Sequence, residues 1–564
     1  MNIRKTAPAL CVLLLLLFSL PGANAAAEGD TVREMTLEEK VGQIMMVFFE
    51  GPVLSENLER FISELRVGGV ILYSSRGNIE SVRQVASLNE TIQQTALFSR
   101  NPPLFIGIDQ EGGLIARIRE GVTLFPGNMA LGAAGDPSLA ARVASVMGEE
   151  LASIGINMNF APVMDVNNNP RNPIIGVRSF GSDPEAVSRL GSAMISKFLE
   201  EGVLPSAKHF PGHGDTDIDS HSGLPIINVP RSRLESVEFP PFRAAVAAGV
   251  PLVMTAHVIV PALDRKNPAT LSPAVLGTLR SEMGFDGLII TDSMGMGALK
   301  KERTMEQAAV EAFNAGADIL LFGADRGHEE TEHFGMRRAL LEACRTGAIR
   351  QERLDEAVRR ILAAKKSLGL LEDGWKAEFN PKRSPKGETA AREAASRSIT
   401  VVRNRRGILQ NIISDGKRTP LLWPEERIEA GRFFAALLPF FDLVGVRERP
   451  DETDIAVALK RAGNSEVVLI AEYDANRNAE WINLVKQIGE ERTVLLSLRT
   501  PYALLSVPSV AGAIVAYSDN PPSLEALADV LKGKVPAVGA LPVELPGFEP
   551  VPAGTGGCRV FPES

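Results

Sequence analysis

The chain has 564 residues, 45 % hydrophobic and 23 % charged, with a formal net charge of −9 and 3 cysteines. That composition belongs to globular proteins and excludes collagen-like and disordered chains. The acidic balance offers no basic face to nucleic acid or an anionic membrane, and three cysteines make neither a disulfide scaffold nor a four-cysteine zinc ribbon.

The first residues have three parts. Arg4 and Lys5 are basic, Ala9–Leu20 is an uncharged apolar run, and Pro21-Gly22 followed by Ala23-Asn24-Ala25 supplies a break and small residues. This is the pattern of a secretory signal peptide over 1–25, cleaved near Ala25. The run is too short to cross about 30 Å of hydrocarbon as a helix. An uncleaved anchor is the alternative. No later run is long enough to span a membrane, so the mature chain is expected secreted, periplasmic or associated with the cell wall. Cys344 and Cys558 remain after cleavage, and their spacing does not argue for a pair.

From 33 to 370, short apolar runs alternate with amphipathic stretches. The runs are Gly42–Phe49, Gly69–Tyr73, Leu104–Ile108, Ile156–Ala161, Val203–Lys208, Leu252–Ala256, Gly287–Thr291 and Ala317–Phe322. Each is predominantly apolar, as a strand covered on both faces must be. Helices are expected over Ser81–Leu97, Pro137–Ile154, Pro184–Glu201, Leu234–Ala248 and Met305–Ala315. Asp136-Pro137 and Asp183-Pro184 read as helix entries, with Asp as N-cap and Pro in the first turn. Eight strand–helix units predict a (β/α)8 barrel of the TIM type. A doubly wound open sheet is the rival, weakened by the lack of a Gly-rich fingerprint after the first strand.

Residues 371–390 are polar, contain two prolines and read as a linker. The segment 391–564 repeats the α/β alternation with strands expected at Ser398–Val402, Pro420–Trp423, Leu443–Val446, Val467–Ala471, Thr493–Ser497 and Ala513–Ala516. This predicts a smaller three-layer α/β sandwich domain.

In such a barrel the chemistry sits at the carboxyl ends of the strands. Five of the expected strands end in polar residues: Asp109-Gln110-Glu111, Asn159 with Asp165, Lys208-His209, Thr255-Ala256-His257 and Thr291-Asp292-Ser293. The densest stretch is Lys208–His221, with three of the six histidines and three aspartates. His209 and His213 have a spacing that binds zinc on a helix, but Pro211, Gly212 and Gly214 break any helix there, so no metal is expected. A loop over the barrel mouth is the better reading. Asp219 lies two residues from His221, close enough to orient an imidazole that exchanges protons near neutral pH. Gln110 and Glu111 are expected to brace their loop, and Asp165 to act as a structural hydrogen-bonder. Asp215 and Asp217 shape the loop or face water. His257 either lines the pocket or sits satisfied in the core, and His328 and His333 are expected at the surface.

Several of these motifs carry a resemblance. Met35–Gln43, Asp109–Gly113, Asn172-Pro173 with Arg178-Ser179-Phe180-Gly181, Lys208–His221 and Ile290-Thr291-Asp292 resemble a family 3 glycoside hydrolase barrel. The loop ending Asp219-Ser220-His221 resembles the β-N-acetylglucosaminidase branch, and Ser398–Asn404 looks like the entry to that family's second domain. The resemblance implies Asp292 as nucleophile, His221 as acid/base and Asp219 as its partner. It implies that Asp109, Arg117, Arg178, Lys208 and His209 hold the hydroxyls of the first sugar. It implies no cofactor, and N-acetylglucosamine-containing oligosaccharides or muropeptides as partners. Leu114 departs from the family, where a basic residue often follows the glycine pair. The expected activity is a retaining exo-β-N-acetylglucosaminidase. Alternatives are a phosphorylase on the same site, a β-glucosidase, and a wall-binding protein without catalysis.

Overall fold

The computed structural model describes residues 32–221, 223–299, 303–413 and 418–548. The expected leader with its cleavage position near Ala25, and Cys558, lie outside the described residues, so the question of a Cys344–Cys558 pair does too.

The first strands in chain order are β1 (Met45–Val47), β2 (Gly69–Ile71) and β3 (Phe105–Ile108), followed by a small hairpin of β4 (Gln110–Gly112) and β5 (Ile115–Ala116). Then come β6 (Met158–Asn159), β7 (Leu204–Phe210), β8 (Leu252–Thr255), β9 (Leu288–Ile290) and β10 (Leu320–Phe322). The main sheet has eight parallel strands in the order β10-β1-β2-β3-β6-β7-β8-β9. A parallel bridge between Ile290 and Ile319 joins its two edges and closes the barrel. Seven of the eight fall within the apolar runs of the sequence, and β7 continues two residues past its run, to Phe210. Every residue of these strands is buried, one face by the barrel interior and the other by the helices, which is why the runs do not alternate.

The helices start as their sequence requires. Asp136 accepts the Ser138 N–H at the head of Pro137–Ser153, and Asp183 accepts the N–H groups of Glu185 and Ala186 at the head of Pro184–Glu200. Each carboxylate satisfies orphan donors of the first turn, and each proline occupies a position that lacks an N–H partner anyway.

The second sheet holds β11 (Thr400–Asn404), β12 (Thr419–Pro424), β13 (Phe441–Val446), β14 (Val468–Glu472), β15 (Thr493–Ser497) and β16 (Gly512–Val515), ordered β11-β16-β15-β14-β12-β13. Only β11 runs antiparallel to its neighbour. Alternate residues feed two apolar clusters on opposite faces: Leu421, Leu469 and Leu496 on one, Leu422, Ile470 and Leu495 on the other. This is the three-layer sandwich expected. The second cluster also takes in Met129, Ala130, Ala133 and Val177 of the barrel, so the domains share one apolar seam.

Segment 371–390 is packed against the barrel. The Ser384 N–H donates to Glu150 at 3.0 Å, and Lys382 pairs with Glu149 at 2.7 Å. The helix Gly387–Ser398 begins inside it and inserts Ala390, Ala391 and Ala394 into the barrel core. Two histidines differ from expectation. His333 is buried, its Nε2 2.9 Å from the Phe48 carbonyl and its ring edge-on to Phe48 and Phe61. His328 is buried too. The charged stretch around them looked solvated in sequence, but Glu330 turns inward to accept the Glu50 N–H and the Asn57 amide.

At the end of the barrel away from the candidate site, Asp318 is fully buried just ahead of β10. It accepts the Ile289 N–H of β9 at 3.0 Å and bonds Arg353 at 3.0 Å, Arg360 at 3.3 Å and Arg280. One carboxylate thus ties the closing strands together and neutralises buried guanidinium. Asp318→Ala strands those cations, and removing one partner of a buried pair costs about 3–5 kcal/mol. We expect that loss in urea denaturation, with kcat of the folded protein unchanged.

Candidate active site

The carboxyl ends of the strands surround a cavity of about 550 Å³. Seven of the eight residues singled out in sequence line it: Asp109, Arg117, Arg178, Lys208, His209, His221 and Asp292. The eighth, Asp219, stands one step behind and bonds His221.

The floor is a buried charge cluster. The Lys208 Nζ, carried inside the last turns of β7, reaches Asp109 at 2.8 Å and Glu111 at 2.7 Å. Arg178 grips both oxygens of Glu111 at 2.9 Å and donates to the Ile174 carbonyl at 3.1 Å. Arg117 reaches the other oxygen of Asp109 at 3.4 Å and lies over the Tyr73 ring. Burial works to raise the Asp109 pKa, but Lys208 and Arg117 overcome it and hold the carboxyl well below the usual carboxylate range. Burial likewise opposes the charges of Glu111 and Lys208, and each is outweighed by its partners: Glu111 is lowered and Lys208 raised. Glu111 and Gln110 brace the loop as expected, the latter by bonding both backbone groups of Ile118.

His209 is oriented by Asp165, whose Oδ2 lies 2.7 Å from Nδ1. The other oxygen of that fully buried carboxylate accepts the N–H groups of His209 and His213. Asp165 is therefore the hydrogen-bonder expected, and it aims the His209 Nε2 towards Arg178, 3.4 Å away. Both nitrogens of His213 are taken, by Thr216 and Ser220, and burial drops its pKa to about 4. Among the described residues no group of three or more His, Cys, Asp or Glu side chains is placed to hold a metal.

Asp292 follows β9 and accepts the Ser293 N–H at 2.7 Å. Burial raises its pKa, but His209, His257 and that N–H prevail, so the group stays ionised below the ordinary range. His257 resolves as the satisfied core alternative: it is fully buried, with Nδ1 on Thr270 and Nε2 on the Ser293 carbonyl. From there it props the backbone next to Asp292.

The Asp219–His221 pair sits on the loop above. Asp219 accepts both the His221 N–H at 2.9 Å and the Nδ1 hydrogen at 2.8 Å. That fixes the tautomer and leaves Nε2 to exchange a proton. The side chains are 56 % and 36 % exposed, so the pair stands at the rim and not in the floor. Asp215 and Asp217 only approach Arg233 and Arg171, at 4.0 and 3.9 Å. Leu114 is exposed, beside the second domain and outside the main cavity.

Two residues of this site were given no role in the sequence reading. Asp325, three residues beyond β10, lines the cavity and accepts the Ser293 hydroxyl; burial and the nearby Asp292 raise its pKa. Extending the strand-end rule to the eighth strand would have found it. Asn172 connects two loops of the site, and only its place in an Asn-Pro turn hinted at that.

A closed parallel barrel with an ionised carboxylate, a carboxylate-bound imidazole and a charged floor around one small cavity defines a hydrolase of the glycosidase type. Residues 36–364 match the Glycosyl hydrolase family 3 N terminal domain, and the chain belongs to that family of glycoside hydrolases. Beta-hexosaminidase A of Pseudoalteromonas piscicida is 33 % identical over 550 residues, covering 87 % of this chain and 91 % of that one. A family 3 β-N-acetylglucosaminidase structure from Paenibacillus sp. str. FPU-7 superposes with a TM-score of 0.83 at 37 % identity, over 90 % of this chain and 99 % of that one. A β-glucoside phosphorylase bound to 2FGlc superposes with a TM-score of 0.79 at 25 % identity, over 94 % and 98 %.

The environments predict how the histidines titrate. The hydrogen bond that His221 donates to Asp219 raises the His221 pKa, with Asp292 adding to it, while burial opposes. NMR of histidine-labelled protein should place His221 above the free-imidazole midpoint of about 6.5 and His213 near 4. Asp219→Asn should lower the His221 midpoint. Because the folded value is the raised one, the stability from this pair is full below the unfolded pKa and is lost as pH rises through the folded one.

Proposed function

We propose that the chain is a retaining exo-β-N-acetylglucosaminidase acting outside the cytoplasmic membrane on N-acetylglucosamine-terminated oligosaccharides, among them muropeptides and chitin fragments. The observation that carries this reading is the placement of Asp292 and His221 on one cavity, the carboxyl of the first shifted towards its ionised form and the imidazole of the second shifted by Asp219 towards its protonated form. The hexosaminidase relatives support the 2-acetamido sugar, and the apolar leader of the sequence supports the location.

In the first step an Asp292 oxygen bonds to the anomeric carbon. The glycosidic C–O bond breaks, and the His221 Nε2 gives its proton to the leaving oxygen. In the second step the neutral Nε2 takes a proton from water, the water oxygen attacks the anomeric carbon, and the Asp292 carboxylate leaves. Two inversions retain configuration. Asp109, Lys208, Arg178, Arg117 and His209 bond the sugar hydroxyls. Their fixed positions before binding are what make such contacts effective.

The cavity has Tyr73 and Phe160 as its aromatic walls, while Trp423 and Trp481 are buried in the second domain. A groove for a long glycan would offer more exposed ring faces. The reading is therefore of a pocket for one terminal sugar. Phosphate in place of water is a second reading, favoured by the likeness to the phosphorylase and by an acid/base that is neutral, not anionic, when the acceptor arrives.

A chromogenic N-acetylglucosaminide tests this with and without phosphate. Release of N-acetylglucosamine in plain buffer is the expected result, and formation of the 1-phosphate at the expense of the free sugar would replace hydrolysis by phosphorolysis. Asp292→Ala should cut turnover on the order of 10³-fold or more without unfolding the protein. His221→Ala should cripple a natural disaccharide far more than a nitrophenyl substrate, whose leaving group needs little protonation.

A further inference from the structure

Among the described residues the second domain supplies none of those lining the cavity, yet it grips the loop that carries Arg178. The Tyr502 hydroxyl accepts from the Asn167 amide at 2.9 Å and faces the Asn167 carbonyl at 3.3 Å. Asn476 donates to the Pro170 carbonyl and Arg477 to the Pro173 carbonyl, both at 3.0 Å. At the far end, the Ser182 N–H donates to the Pro542 carbonyl at 2.9 Å. A Cβ on Gly181 would lie 2.1 Å from that oxygen, so the close approach requires glycine.

Between those grips lies Asn172, whose side chain is buried and used at both ends. Its oxygen accepts the N–H groups of Ile174 at 2.9 Å and Ile175 at 2.7 Å. That is the turn whose Ile174 carbonyl receives Arg178. Its nitrogen donates to the carbonyls of His213 at 2.8 Å and Gly214 at 2.9 Å, with the Thr216 hydroxyl at 3.2 Å. Thr216 and Ser220 in turn hold the two nitrogens of His213, and Ser220 directly precedes His221. The two ends of the carboxamide face opposite chemistry, donors on one side and acceptors on the other, so its orientation is fixed.

We propose that Asn172 is a positioning residue for two functions at once: its oxygen sets the Arg178 turn and its nitrogen sets the Asp219–His221 loop. The second domain, through Tyr502, Asn476 and Arg477, keeps this clamp seated. The inference rests on the glycosidase reading for its kinetic consequences but not for its structural one.

Asn172→Asp separates the two functions. The new carboxylate keeps an acceptor for Ile174 and Ile175, and places oxygen against two carbonyl oxygens where a donor stood. With a nitrophenyl N-acetylglucosaminide, kcat/KM, which ends at the first irreversible step and so excludes the base-assisted second one, should stay within about threefold of wild type. With a disaccharide, kcat/KM should fall about tenfold or more, because the acid is misplaced while the sugar site is kept. Asn172→Ala, which removes both ends, should also raise KM. Hydrogen exchange on the full chain gives a readout independent of turnover. Amides of 213–221 should exchange faster in Asn172→Asp while those of β7 do not change. Tyr502→Phe should speed exchange in 167–178. Equal losses of kcat/KM on both leaving groups, or unchanged protection of 213–221, would overturn the proposal. Were the wild type inactive on both substrates, the functional reading would fail, and the exchange pattern would still decide the clamp.

Discussion

At the carboxyl end of the barrel, Lys208 lies between Asp109 and Glu111 while Arg178 closes the far side of Glu111, and all four groups are largely withdrawn from water. Desolvating four charges is costly, and the cost is met only because each carboxylate meets two cations at hydrogen-bond distance. The parallel barrel makes this possible. Strands β3 and β7 deliver Asp109 and Lys208 from positions 99 residues apart in sequence to within 2.8 Å. With Arg117 on the outer oxygen of Asp109, the cluster sets three positive against two negative side chains, so most of its buried charge is compensated within the floor. A polyol placed on it meets fixed donors and acceptors and does not have to reorganise them.

The same field sorts the titratable groups above the floor. Asp292 is buried, and an isolated buried carboxyl would protonate. The imidazoles of His209 and His257 and the Ser293 N–H keep it charged. Asp325, a short way along the rim, accepts the Ser293 hydroxyl and faces His328 and His221, but burial and the neighbouring Asp292 charge outweigh them and it moves in the opposite direction. His221 stands in partial contact with water and is shifted up chiefly by one hydrogen bond. Two groups that must differ in charge at the start of a displacement are thus separated by what each one touches, and not by their intrinsic acidities.

The barrel was legible because its strands are covered on both faces, which turns each into an uninterrupted apolar run, and because helix entries such as Asp136-Pro137 state their own geometry. The polar strand ends pointed to Asp109, Lys208 and Asp292 for the same reason: a charged residue at the end of a buried strand has few places to go. Local sequence was silent where the partner is distant. Nothing near His333 signals that Phe48 and Phe61 enclose it, and nothing near Glu330 signals that the Glu50 N–H awaits it. Asn172 belongs to the same class. Its five bonds join two loops, each of which reads alone as a turn.

This difference has a physical basis that bears on how the site works. Groups that bind a ligand ring gain from rigidity, and the floor residues sit on strands or are locked to them. An acid that must first protonate a leaving group and then deprotonate an incoming molecule needs access from outside, and a strand inside a closed barrel offers none. Placing His221 on a loop provides that access and forfeits the rigidity of the sheet. Asp219 restores the tautomer, Asn172 restores the anchorage of the loop, and the Ser220 carbonyl adds a bond from the Ala298 N–H beyond Asp292. That last bond ties the His221 loop to the segment that follows Asp292. The distance between these two side chains is therefore governed from both sides, by the strand end on one and by the braced loop on the other.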